Sequence, residues 1–81
     1  MKVILSPRAV EALEDAPPAV KKAFFKQTRL LAADLRHPSL RAKKYDESTD
    51  RWQARVNSGW RFYFRIRDDR YLILDIIPHP K

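Results

Sequence analysis

The sequence predicts an α+β domain of two layers: one short N-terminal strand, two helices and then an antiparallel sheet of three to four strands, in the order β-α-α-β-β-β. Three observations carry that prediction. Apolar residues recur at helical spacing between Ala9 and Leu35, alternation with polar residues takes over from Leu40, and turn residues cut the alternating part into hairpins. At 81 residues the chain reads as one domain spanning 1–81, too short to bury more than a thin core. Its function is therefore expected on the surface of one sheet or helix layer.

Each element has its own signal. Val3-Ile4-Leu5 is a short apolar run closed by Ser6-Pro7, where serine can cap a helix and proline can occupy its first position. Ala9, Val10 and Leu13 share a face of that helix, and Ala16-Pro17-Pro18 stops it. A second helix is expected from Pro18 or Ala19 to about Arg36, with Val20, Phe24, Leu31 and Leu35 on one stripe, Lys22, Lys26, Arg29 and Arg36 on a solvated basic one, and His37-Pro38 at its end. Leu40 to Tyr45 reads as a strand, Asp46 to Asp50 as a polar turn, Asn57-Ser58-Gly59 as a tight turn, and Asp68-Asp69 as the last hairpin.

Composition narrows the function. Seventeen Lys and Arg against ten Asp and Glu leave a net charge of +7, so the natural partner is a polyanion: nucleic acid, an anionic membrane or an acidic protein segment. No apolar run approaches the roughly 18 residues of a spanning helix, and the N-terminal run is too short for a signal peptide, so a cytoplasmic protein with no membrane partner is expected. With no cysteine and only His37 and His79, the sequence offers no disulfide framework and no four-ligand metal centre; neither metal nor cofactor is expected.

Strand parity then sorts the charges. Trp52, Ala54 and Val56 fall on one face and Arg51, Gln53, Arg55 and Asn57 on the other; Trp60, Phe62, Phe64 and Ile66 point inward while Arg61, Tyr63, Arg65 and Arg67 point outward. In the last strand Leu72, Leu74 and Ile76 are expected inside and Tyr71, Ile73, Asp75 and Ile77 opposite, with His79 following on the open face if Pro78 does not turn the chain away. The open face thus gathers Arg55, Arg61, Arg65, Tyr63 and His79, with Lys43 and Lys44 on a neighbouring strand. Like charges on adjacent strands repel, which an anion bound among them would relieve. Arginine forks onto phosphate and stacks on bases, and Tyr63 among the cations offers a stacking ring.

No nucleophile elbow, P-loop or paired-carboxylate site is present, which leaves metal-free RNA cleavage as the feasible chemistry. Attack of a 2′-hydroxyl on the adjacent phosphorus needs a base, cations to steady the phosphorane and an acid for the departing 5′-oxygen. Arg55 and Arg61 suit the second role. His79 suits the third, since imidazole exchanges protons near neutral pH. Lys43 and Lys44 are the candidate bases, and Lys43, Lys44, Tyr63 and Arg65 the candidate RNA contacts.

The junction Leu35-Arg36-His37-Pro38-Ser39-Leu40-Arg41-Ala42-Lys43-Lys44 and the run Trp52-Gln53-Ala54-Arg55-Val56-Asn57-Ser58-Gly59-Trp60-Arg61 resemble the RelE/ParE toxin superfamily of toxin-antitoxin systems, and the second run is similar to the W-x-x-R-[IV]-[NT]-x-x-x-R pattern of YoeB-like members. The resemblance covers the whole chain. It implies a ribosome-dependent mRNA endonuclease that inhibits translation, with Arg55 and Arg61 supporting the transition state and His79 moving a proton; its partners would be the ribosome, mRNA and a cognate antitoxin covering the basic face. The ParE branch implies instead a gyrase inhibitor without nuclease activity, and a third possibility is an inactive relative that only binds RNA or antitoxin. Ala42 stands near where YoeB-like members carry a carboxylate, Gln53 and Arg55 where the RelE branch carries a lysine pair, and Pro80 where a tyrosine follows the histidine.

Overall fold

A computed structural model describes residues 1–79; Pro80, one of the positions at which the sequence departs from the pattern it resembles, lies outside them. The elements are β1 (Lys2–Leu5), α1 (Pro7–Glu14), α2 (Pro18–Ala33), a 3-10 turn (Pro38–Leu40), β2 (Lys43–Asp46), β3 (Arg51–Asn57), β4 (Trp60–Arg67) and β5 (Arg70–Pro78). The expected α+β order is present. Five strands form one sheet in the order β1-β5-β4-β3-β2, antiparallel except where β1 runs parallel to β5.

Local chemistry explains the boundaries. The Ser6 side chain accepts the Ala9 amide at 3.1 Å and Pro7 opens α1, as the Ser-Pro signal requires. α2 stops at Ala33, short of the expected Arg36, because the Asp34 side chain takes the Arg36 amide at 2.9 Å and the chain turns toward Pro38. The expected strand from Leu40 starts only at Lys43: Leu40 sits fully buried in the 3-10 turn, and Arg41 closes that turn in the left-handed region at φ 46°. Asp68 and Asp69 both take positive φ, which fits a tight hairpin of the twist the strands need.

α1 packs chiefly on β5 and α2 on β3. Ala9, Val20, Phe24 and Leu31 from the helices meet Ala54, Val56, Phe62, Phe64, Tyr71, Ile73 and Ile76 from the sheet in a single core. Phe24 is edge-on to Phe62 at 5.5 Å, and Phe62 adjoins Phe64 at 5.7 Å. Among the described residues the opposite sheet face carries no helix of this core.

The expected parity holds along β4 and along β3 up to Arg55, beyond which a bulge pairs Asn57 with the inward Trp60, and it fails in the first half of β5. Tyr71 and Ile73 are core residues, whereas Leu72 lies opposite Arg65 on the other face. A bulge between the pairs Tyr63 with Asp75 and Phe64 with Ile73 inserts Leu74 as an extra residue and resets the phase. Beyond it Ile76 is buried and Ile77 faces Arg61, as parity predicts, so the bulge places Asp75, Ile77 and then His79 on the open side.

Candidate nucleic-acid interface

The register of β3 and β4 sets Arg55 directly opposite Arg61 and Gln53 opposite Tyr63, and β2 sets Lys43 opposite Gln53. Facing residues project from the same side of a sheet. Arg55, Arg61, Lys43 and Gln53 accordingly line one cleft of about 280 Å³ together with Arg41 and His79. Three arginines, one lysine and an imidazole surround it, and no carboxylate of the described residues lines it.

Backbone contacts fix Arg61 and His79 in place. The Arg61 Nη1 donates to the carbonyls of Asn57 at 2.7 Å and Trp60 at 2.9 Å, which ties the guanidinium to its own hairpin. The bulge between Arg55 and Asn57 and an Asx turn, in which Asn57 Oδ1 accepts the Gly59 amide at 2.9 Å, shape that hairpin. Burial first, and then the charges of Arg55 and Arg41, push the Arg61 guanidinium below its ordinary value, though it stays a cation at any physiological pH. Arg55 Nε is buried and has no hydrogen-bond partner among the described residues. Neither Arg55 nor Arg61 enters an ion pair among the described residues. His79 is delivered by its own backbone: its amide donates to the Gly59 carbonyl at 2.8 Å, so Pro78 does not lead the chain away.

The floor of the cleft is fastened by a residue with no expected role. Gln27 of α2, 5 % exposed, donates through Nε2 to the Ser39 carbonyl at 3.0 Å and to the Arg55 carbonyl at 2.8 Å. One amide thus fixes helix, 3-10 turn and β3 relative to one another. Arg41 was not among the expected contacts either; it caps the 3-10 turn ahead of β2, where strand parity does not apply.

Three expected RNA contacts lie elsewhere. Lys44 pairs in register with Trp52, opposite in phase to Lys43, and its Nζ is 3.0 Å from Asp50 and 4.0 Å from Glu47. The bond to Asp50 raises the Lys44 pKa and lowers that of Asp50. Tyr63 is on the open side but only 9 % exposed, because the Arg51 guanidinium covers its ring at 4.3 Å and Tyr45 meets it edge-on at 5.6 Å; that ring is closed to an incoming base. Arg65 is outward, opposite Leu72, and does not line the cleft.

The Asp50 interaction gives a pH dependence. A carboxyl lowered in the folded state contributes stability above its unfolded value near 4, and the contribution is lost as pH falls through the lowered folded value. Thermal melts of the wild type and Asp50→Asn are expected to differ at pH 6 and to converge as the pH falls through that lowered value; a constant gap would contradict it.

No family model matches this chain, and no curated relative matches it. Solved structures do. A YoeB/ParE toxin from Agrobacterium tumefaciens superposes with a TM-score of 0.82 at 13 % identity, over 99 % of this chain and 100 % of the other. The RelE of an archaeal RelE-RelB complex from Pyrococcus horikoshii gives 0.79 at 21 % identity, covering 95 % and 92 %. A YoeB dimer from Staphylococcus aureus gives 0.80 at 15 %, covering 99 % and 98 %. The chain has the fold of these toxins.

Proposed function

We propose that this chain is the toxin of a toxin-antitoxin pair and acts as an RNA endonuclease on mRNA held by the ribosome. The observation that carries the reading is the cross-strand pair Arg55 and Arg61 lining one cation-rich cleft together with His79. The fold shared with YoeB and RelE toxins supports the same reading.

A scissile phosphodiester seated between the two guanidiniums would place its non-bridging oxygens where charge builds up. The 2′-hydroxyl loses its proton and its oxygen attacks the adjacent phosphorus; Arg55 and Arg61 steady the phosphorane. The bond to the 5′-oxygen then breaks, His79 protonates that oxygen, and the products are a 2′,3′-cyclic phosphate and a 5′-hydroxyl. Lys44 is a poor base because Asp50 stabilises its protonated form. Lys43, which lines the cleft, is the lysine left for that task, unless a ribosomal group serves.

An antitoxin is the second partner. The net charge of +7 and an open face lined with guanidiniums suit an acidic segment, and the RelE from P. horikoshii was solved in complex with RelB. Primer extension on mRNA from cells expressing the chain alone tests the reading. Cuts inside translated codons are expected. Intact messages with a DNA damage response would replace it with gyrase inhibition, and intact messages without toxicity with a binding-only relative. Association of the purified chain with RNA should also weaken steeply with salt, since phosphate contacts release counterions.

A further inference from the structure

The open sheet face carries a second arginine pair beyond the cleft. In the register that sets Trp52 opposite Phe64, the next residues out are Arg51 on β3 and Arg65 on β4. They have the parity of Arg55 and Arg61, so two cross-strand pairs of like charge stand on one face, with Gln53 and Tyr63 between them. Like charges facing each other across strands cost stability. Four residue steps along β3 separate the pairs, about 13 Å along the strand, farther than one phosphate reaches.

A second observation is independent of the register. Among the described residues, the buried side-chain nitrogens without a hydrogen-bond partner are the Nε atoms of Arg51, Arg55 and Arg65. All three belong to these two pairs. Buried donors left unsatisfied are costly, and a turn of these side chains toward an anion with several oxygens would satisfy several guanidiniums at once. Two carboxylates stand near without closing an ion pair with either arginine among the described residues: Asp46, opposite Arg51 in the β2 register, accepts the Ser48 amide at 3.0 Å and hydroxyl at 2.8 Å, and Asp50, whose charge also acts on Arg65, is 3.0 Å from Lys44 and 3.9 Å from Arg67. Beside the pair, Tyr45 stands 60 % exposed on the edge strand, with its ring edge-on to Tyr63.

We infer that Arg51 and Arg65 form a second phosphate clamp, so that a single RNA strand runs from the cleft along β3 and is gripped again beyond the scissile position, with Tyr45 as the ring on which a base there stacks. This rests on the reading of the open face as the RNA face. It goes further in requiring a substrate longer than the dinucleotide that the cleft alone would hold. Arginine, whose fork matches phosphate and whose plane stacks on bases, favours RNA over an acidic helix as the occupant.

The test is binding, not cleavage, so that it stands apart from the nuclease reading. Affinities of the full chain for 2′-O-methyl oligonucleotides of two and six residues are compared by titration at several salt concentrations. The wild type is expected to bind the hexamer at least tenfold more tightly than the dimer. Arg51→Gln/Arg65→Gln should lose most of that gain, keep the dimer affinity and lower the salt slope by about 1.4 if two phosphate contacts go. Arg51→Lys/Arg65→Lys should restore the salt slope and part of the gain; because it keeps the charge, it also separates the clamp from a folding defect, which melting curves of both variants would reveal. A hexamer affinity unchanged in the glutamine variant, or a wild type without length dependence, overturns the clamp. Loss of binding to a poly-glutamate peptide with hexamer binding intact would assign the pair to an acidic protein partner instead.

Discussion

Replacing Arg61 by alanine should lower the rate of mRNA cleavage by about 10²- to 10³-fold, the usual cost of removing one group that stabilises transition-state charge. The expectation follows from its position: it faces Arg55 across the strand pair, and its Nη1 is fixed by the carbonyls of Asn57 and Trp60. A side chain held this way does not need to be ordered again when substrate arrives. Arg61→Lys should recover little, because an ammonium keeps the charge but cannot fork onto two phosphate oxygens. The carbonyls lose their partner in either variant, so a decrease in melting temperature of several degrees is expected, corresponding to about 1 kcal/mol. Cleavage measured in a reconstituted translation reaction, well below that transition, separates the two effects. Undiminished cleavage by Arg61→Ala would remove the residue from the mechanism.

Gln27→Leu should destabilise the domain by about 1–3 kcal/mol, because it leaves the carbonyls of Ser39 and Arg55 without their buried donor while keeping the volume of the side chain. That is a large share of the total for a chain of this size, roughly 4–12 kcal/mol at ordinary values per residue. The consequence for function is separate from the loss of stability. Gln27 lies between α2 and the sheet and bonds to the backbone of the residue whose guanidinium lines the cleft, so its loss frees Arg55 to shift. The maximal cleavage rate should fall about tenfold while affinity for RNA changes much less, since misplacement affects the transition state more than the bound state. Denaturant unfolding and single-turnover kinetics on the same preparation check the two halves. Equal losses in rate and affinity would point to general unfolding instead.

Much of the fold is legible in the residues because local chemistry and periodicity agree there. Ser6-Pro7 marks a helix start that the Ala9 amide bond realises, and in β4 the strict alternation of Trp60, Phe62, Phe64 and Ile66 with Arg61, Tyr63, Arg65 and Arg67 is enough to orient every side chain. β5 is different. From Tyr71 to Ile77 every residue but Asp75 is apolar, so the strand carries no phase of its own, and a bulge that adds Leu74 is set by pairing with β4 rather than by local composition. Gln27 was visible as a polar residue falling on the Val20, Phe24, Leu31 stripe, but only tertiary structure supplies the two carbonyls that make it useful there.

The site divides in the same way. Parity brings Arg55, Arg61 and Lys43 to one face, and register, which parity does not contain, puts the two arginines opposite each other. Lys44 and Tyr63 could not be judged from spacing, because what removes them is a neighbour distant in strand position: Asp50 for the lysine, Arg51 for the ring. Arg41 escaped notice because it lies in a 3-10 turn with left-handed backbone, in a stretch whose sequence reads as strand.

The central claim is that Arg55 and Arg61 grip one phosphodiester together, and a double-mutant cycle on binding measures it directly. Affinities of the wild type, Arg55→Ala, Arg61→Ala and the double variant for a non-cleavable 2′-O-methyl dinucleotide would be determined at low salt. Shared contact predicts that the double loss differs from the sum of the single losses by 0.5 kcal/mol or more, within the range of about 0.5–3 kcal/mol typical of coupled neighbours. Losses that add to within about 0.3 kcal/mol, or single variants that bind as the wild type does, would mean that the two guanidiniums do not hold the same phosphate.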